Sequence, residues 1–170
     1  YRQLENEGIK CCVFNRFRPV LSGRFNNRDH RKIAVIDGKV GITGGINLAD
    51  EYINVKKRFG HWKDVSILLH GDGVWNLTVM FLSMWGYLRN VDENFDQFRP
   101  YTDPQGHAVS DGYVLPFSDS PWDDESVGEN VYLNMINRAN RYVYITTPYL
   151  IIDHEMATSL SNAAKSGVDV

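Results

Sequence analysis

Residues 30–47 read HRKIAVIDGKVGITGGIN, and the reading of this stretch decides the fold. A histidine and a lysine stand two residues apart at the head of an apolar run, Ile33 to Ile36. Successive strand side chains alternate between faces, so His30 and Lys32 are expected to point one way and Arg31, Ile33 and Val35 the other. Asp37-Gly38 is a strong hairpin signal, which makes Lys39–Thr43 the expected return strand. Gly44 and Gly45 allow a tight turn or a close backbone approach to a ligand. Asn47 is placed to cap a short helix opening with Leu48-Ala49-Asp50-Glu51.

Each of these residues has a use if the ligand is a phosphate ester. Imidazole is a workable nucleophile near neutral pH. The Lys32 ammonium would neutralise phosphoryl oxygens as a compact point charge. The Asn47 amide and backbone N–H groups from Gly45 to the helix start would add donors. No metal or cofactor enters this scheme, because phosphoryl transfer asks mainly for positioning and charge stabilisation.

The spacing H-x-K-x4-D-x6-G-G-x-N, carried by His30, Lys32, Asp37, Gly44, Gly45 and Asn47, resembles the HKD motif of the phospholipase D superfamily. The surrounding segments NNRDHRKIAVIDGKVGITGGINLADEYI, RFGHWKDVSILLHGDGVW and ITTPYLIIDHEM resemble bacterial cardiolipin synthases, in the same order along the chain. The resemblance implies an α/β fold with a phospholipase D-like mixed sheet flanked by helices. It also implies a phosphatidyltransferase, with His30, Lys32 and Asp37 as catalytic residues and Lys32, Gly45 and Asn47 on the substrate phosphate; the place of Asp37 at the hairpin turn equally suits a structural role. The same likeness implies phosphatidylglycerol and other anionic phospholipids as partners and a cell-membrane location for the parent protein. The motif itself leaves transfer to an alcohol, hydrolysis, and a non-catalytic grip on anionic head groups as alternatives. Two copies sharing one site through paired His30 side chains, a homodimer, is a further arrangement that single-motif members of the superfamily adopt.

Bulk properties fit this reading. The 170 residues suffice for a real core, and 43% hydrophobic with 23% charged residues is ordinary for a globular chain. A net charge of −3 argues against a general nucleic-acid binder. Arg16, Arg18, Arg24, Arg28, Arg31 and Lys32 nevertheless cluster in sequence around the motif, as a solvated face or as a local anion-binding patch. The adjacent Cys11 and Cys12 are the only cysteines; neighbours in a strand rarely bridge, and they suggest a reducing compartment. No apolar run reaches about 18 residues, the length needed to span a bilayer.

Along the chain, Tyr1–Glu7 reads as the end of a helix stopped by Gly8, and Ile9–Asn15 as a strand. Arg16–Asn27 reads as a loop, Asn54–Gly60 as a basic connector and Val65–His70 as a third strand. His61 and Asp64 either frame that strand's start or lie near the site. Val74–Asn90 shows a helical stripe at positions 74, 77, 81, 85 and 88. Residues 91–112, rich in Asp, Asn, Gln, Pro and Gly, read as a linker, with His107 in a flexible setting. Tyr113–Ser118 and Arg141–Thr147 read as strands, Asp119–Asp124 as a turn, and Glu125–Asn140 and Asp153–Ser166 as helices. The resemblance places the Thr147-Pro148-Tyr149 turn at the rim of the active cleft.

The start, LENEGIKCCVFN, and the end, LSNAAKSGVDV, echo each other as helix, glycine, strand. The expected organisation is therefore residues 1–92 as the later part of one lobe, 93–112 as an inter-lobe linker, and 113–170 as the early part of a second. The chain is expected to be an excised piece of a longer protein whose membrane segments and second HKD motif lie elsewhere.

Overall fold

The computed structural model describes residues 1–15, 28–100, 112–120 and 124–170. The chain divides into two compact units, Tyr1–Pro116 and Phe117–Val170.

The first unit opens with helix α1 (Arg2–Asn6). Gly8 takes a left-handed φ of +83°, and the Ile9 and Gly8 N–H groups donate back to the carbonyls of Leu4 and Glu5. This is the Schellman closure, and glycine reaches its φ without strain. The strand expected over Ile9–Asn15 does not form, because the segment has no hydrogen-bonded neighbour strand among the described residues. Backbone donors and acceptors make a strand only when a second chain segment takes them up.

The hairpin forms. Strand β1 (Ile33–Ile36) pairs antiparallel with β2 (Val40–Gly44), with Ile33 opposite Thr43 and Ile36 opposite Val40. Asp37 and Gly38 both take positive φ, +52° and +65°, and the Lys39 N–H closes the turn on the Ile36 carbonyl. Strand β3 (Ser66–His70) adds on the other side of β2, again antiparallel, in the order β1-β2-β3. The sheet is thus antiparallel throughout rather than mixed.

Helix α2 (Gly73–Arg89) packs on this sheet through Val74, Leu77, Thr78 and Leu82, with Gly41 buried beneath it. Asn90 ends it in a left-handed conformation, φ +52°, with a second Schellman closure from Val91 to Gly86. The buried stripe differs from the expected one. Phe81 is half exposed and stacks on Trp85, whose ring carries the Arg89 guanidinium 5.6 Å from its centroid. One thin sheet covers only one side of the helix, so the apolar residues a turn away stay at its margin.

Leu48–Glu51 does not form the expected helix. It makes turns, and the Val55 and Lys56 N–H groups both reach back to the Asp50 carbonyl, with Asn54 left-handed at φ +63°. That reversal stops helix growth after a single turn. Phe95–Phe98 is a 3-10 turn with the Asn94 side chain accepting from the Asp96 N–H. Residues 16–27, the expected loop with Arg16, Arg18 and Arg24, and residues 101–111, with His107 and most of the expected linker, lie outside the described residues.

The second unit holds helices α3 (Val127–Asn137) and α4 (His154–Lys165). Asp153 caps α4 by accepting from the Met156 N–H, 2.8 Å. Ile136, Ala163 and Val168 form the buried centre, with Val143, Met156 and Leu160 packed against it. Gly167, φ +93°, closes α4 as Gly8 closes α1: Val168 donates to Ala163 and Gly167 to Ala164. Tyr113–Ser118 has no regular structure, and the strand expected over Arg141–Thr147 shrinks to one parallel bridge, Tyr142 with Asp169. Both segments carry the β-favouring residues, but a ladder extends only where a partner runs alongside.

Among the described residues, no helix is long and apolar enough to cross a membrane. Leu77→Ala, which empties the space between α2 and β2, is expected to destabilise the first unit by about 3 kcal/mol, read by urea denaturation. A loss under about 1 kcal/mol would mean that α2 does not bear on the sheet as described.

Candidate active site at the hairpin base

The candidate residues fall into two places. His30 and Lys32 precede β1, whereas Asp37 occupies the turn at its far end. Five residues at about 3.3 Å each separate Lys32 from Asp37 by roughly 15 Å. The expected strand through His30 and Lys32 does not extend that far. Pairing of β1 with β2 stops at Ile33 and Thr43, whereas pairing of β2 with β3 continues to Gly44 and Ser66. Asp29 supplies a competing local structure, accepting from the Arg31 N–H at 3.1 Å and from both sides of the Arg31 guanidinium at 2.9 and 3.1 Å. Such side chain-to-backbone bonds draw a segment away from the ladder. Partial burial alone would raise the Asp29 pKa, but these Arg31 bonds, with the charges of Arg31 and Lys32, hold it below its ordinary value.

Released from the sheet, Lys32 turns back. Its Nζ donates to the His30 carbonyl, 2.6 Å, so the ammonium fixes the backbone that carries the imidazole. His30 itself is exposed, Lys32 half-buried.

Behind the lysine stands a carboxylate whose role the sequence left open. Asp64 accepts from the Trp62 indole Nε1 at 3.0 Å and from the Val65 N–H at 2.8 Å. Those two bonds, with the nearby Gly45 backbone and, least of all, the charge of Lys32, hold its pKa below the ordinary 3.8, while the Gly45 N–H itself donates to the Val65 carbonyl at 3.3 Å. Gly45 is required for this contact: a Cβ there would lie 2.7 Å from Asp64 Oδ1. Gly44 is required too, since its Cβ would meet the Val65 carbonyl oxygen and Ser66 Oγ at 2.5 Å. The Gly-Gly pair thus lets the chain around Asp64 settle onto the motif. Asn47 is half-buried just beyond, its carbonyl accepting from the Ala49 N–H at 3.1 Å. His61 is exposed. At the base of the hairpin the Lys32 ammonium thus lies on the His30 backbone, and the ionised Asp64 carboxylate is close enough to feel its charge.

In the second unit, Thr147 Oγ1 bonds both the N–H and the carbonyl of Tyr149, 3.2 and 3.1 Å, which shapes the Thr-Pro-Tyr turn.

The pH dependence of Asp64 has a definite sign. A depressed folded pKa contributes stability above the unfolded value, and that contribution is lost as pH falls through the folded pKa. Asp64→Asn is expected to remove this share of the acid sensitivity below about pH 4. Gly45→Ala is expected to move the Asp64 titration back up toward 3.8, read by NMR of the carboxylate. An unmoved titration in Gly45→Ala would mean that the Gly45–Asp64 contact is not what lowers it.

Comparison with known proteins agrees with the motif. A protein of Streptococcus mutans bearing no functional name is 53% identical over 170 residues. Cardiolipin synthases of Listeria monocytogenes and of a Geobacillus species are 36% and 35% identical over 169 and 171 residues. Each alignment takes in 98–99% of this chain but only 34–36% of the relative, so the chain spans about a third of the length of the curated relatives it matches. No family model matches the chain, and no solved structure matches it. Over nearly its whole length the chain is thus similar to cardiolipin synthases, consistent with a cardiolipin synthase-like member of the phospholipase D superfamily.

Proposed function

We propose that this chain carries one catalytic half-site of a phosphatidyltransferase that joins two phosphatidylglycerol molecules and releases glycerol. The observation that supports it is the Lys32 ammonium folded back onto the His30 carbonyl, with the charge of Asp64 acting on that lysine, within a chain 32–36% identical to cardiolipin synthases.

The imidazole of His30 attacks the phosphorus of the donor lipid. A P–N bond forms, the P–O bond to glycerol breaks, and the leaving oxygen takes a proton. The hydroxyl of a second phosphatidylglycerol then attacks, loses its proton and releases the histidine. Splitting the transfer in two conserves the activated phosphoryl group for the second alcohol. Lys32 and Asn47 hold the non-bridging oxygens, with the Gly45 backbone beside them. Lys32 also steadies the His30 backbone, and Asp64 keeps the ammonium in place. Asp37, at the other end of β1, serves the left-handed turn.

The proton for glycerol comes from a second histidine, supplied by another HKD motif of the parent or by a second copy of the chain. Water in place of the second alcohol would give hydrolysis instead. The parent works at the cell membrane, where both lipids reside.

Incubated alone with phosphatidylglycerol, the 170-residue chain is expected to form little or no cardiolipin. The parent protein is expected to form it and to lose about 10³-fold or more in rate on His30→Ala. Acid-quenched mass spectrometry should find the phosphatidyl group on His30. An active parent whose His30→Ala variant keeps full rate would overturn the assignment, and release of phosphatidic acid without cardiolipin would turn it to hydrolysis.

A further inference from the structure

The segment between β2 and β3 combines features that a protein core does not accept. Leu48 is fully exposed, and Ile53, Val55 and Phe59 are 58%, 68% and 54% exposed. Between Val55 and Phe59 lie three consecutive cations, Lys56, Lys57 and Arg58, and Lys63 follows. Residues 48–63 hold four cations against two carboxylates in a chain whose net charge is −3. Those carboxylates, Asp50 and Glu51, stand 2.9 Å from Lys56 and 4.0 Å from Arg58 at the surface.

This segment is also held in shape. Asn54 clamps it by donating to the Trp62 carbonyl at 2.8 Å and accepting from the Trp62 N–H at 2.7 Å. The Tyr52 ring meets Trp62 edge-on at 5.0 Å, and Phe59 packs on both rings at 5.8–6.3 Å. The apolar side chains are therefore presented by a closed loop.

We propose that the 48–63 loop is a membrane-docking surface that rests on an anionic bilayer. Protein interfaces bury apolar side chains but are depleted in lysine. The interface of a bilayer accepts both, taking apolar side chains at the acyl boundary and ammonium groups among anionic head groups. The same loop is tied to the candidate site, because Trp62 holds it through Asn54 and bonds Asp64 through its indole. Docking would thus bring lipid phosphates to the hairpin base. The use of such docking rests on the phospholipid reading above; the docking itself needs no catalysis.

The test is sedimentation of the purified chain with phosphatidylglycerol-rich vesicles and with pure phosphatidylcholine vesicles. Partition onto the anionic vesicles is expected to be at least about tenfold higher and to fall as salt rises. Lys56→Gln with Lys57→Gln is expected to lower it about tenfold or more. Val55→Ser, outside the aromatic cluster, is expected to lower it about fivefold, with circular dichroism showing each variant folded. His30→Ala leaves the loop intact and is expected to keep full partition, whatever becomes of the phosphohistidine. No partition onto either vesicle, equal partition onto both, or loop variants that bind like the parent chain would each overturn the proposal. Loop variants that abolish self-association of the chain while leaving vesicle binding unchanged would do so too, and would assign the loop to a second copy.

Discussion

The first unit depends on how closely β2 approaches the start of β3. At Gly44 and Gly45 the two segments are nearer than any side chain permits. This approach has two consequences at opposite edges of β2. On one edge it continues the pairing with β3 and carries Asp64 onto the motif. On the other edge β1 has already left the ladder at Ile33, and residues 29–32 follow their own local bonds. The base of the hairpin is therefore both tightly packed and irregular. A regular strand would have pointed the lysine straight out from the sheet; the irregular segment lets it turn back toward the histidine's own carbonyl.

Electrostatics at that base follow from the same packing. Asp64 is held ionised chiefly by hydrogen bonds, from the Trp62 indole first and then from backbone N–H groups, with Lys32 adding the least. The carboxylate thus stays charged for reasons that do not depend on Lys32. Lys32 meets this anion only through its charge. It brings three donors, of which one reaches the His30 carbonyl. An anionic phosphate would add a further partner to this ammonium.

What the sequence revealed was what short-range chemistry decides. Asp37-Gly38 announced the hairpin because a turn with two positive φ angles asks for those residues. Gly8 and Gly167 announced helix ends for the same kind of reason, and the echo between the two termini holds at that level, with identical closures at Leu4–Ile9 and Ala163–Val168. It fails one step further on. Val168–Val170 finds Tyr142 to bridge, whereas Ile9–Asn15 finds no strand among the described residues. The strands expected at 9–15, 113–118 and 141–147 had β-favouring residues, and composition cannot report whether a partner runs beside them. The place of Asp64 stays open in the sequence because it depends on a contact with Gly45, nineteen positions away. The pairing of two unhindered glycines in one strand with an Asp-Val-Ser at the head of the next was the signal available. Leu48–Glu51 misled because Asn47 makes a good cap, while the left-handed Asn54 that cuts the helix short lies beyond it.

A line of hydrogen bonds runs from the exposed loop to the carboxylate beside the motif: Asn54 to the Trp62 backbone, and the Trp62 indole to Asp64. None of these links is a long flexible side chain. Asn and Trp have two χ angles each, and the backbone supplies the rest, so little rotamer freedom separates the loop from the site. A displacement of the loop on meeting a surface would therefore be felt first at Trp62 and then at Asp64, the group against which Lys32 is set. Because the indole bond is the largest of the influences lowering the Asp64 pKa, turning Trp62 would alter the carboxylate before it altered the histidine. The physical route by which the bilayer could act on the chemistry thus passes through a tryptophan and an aspartate that lie outside the motif itself.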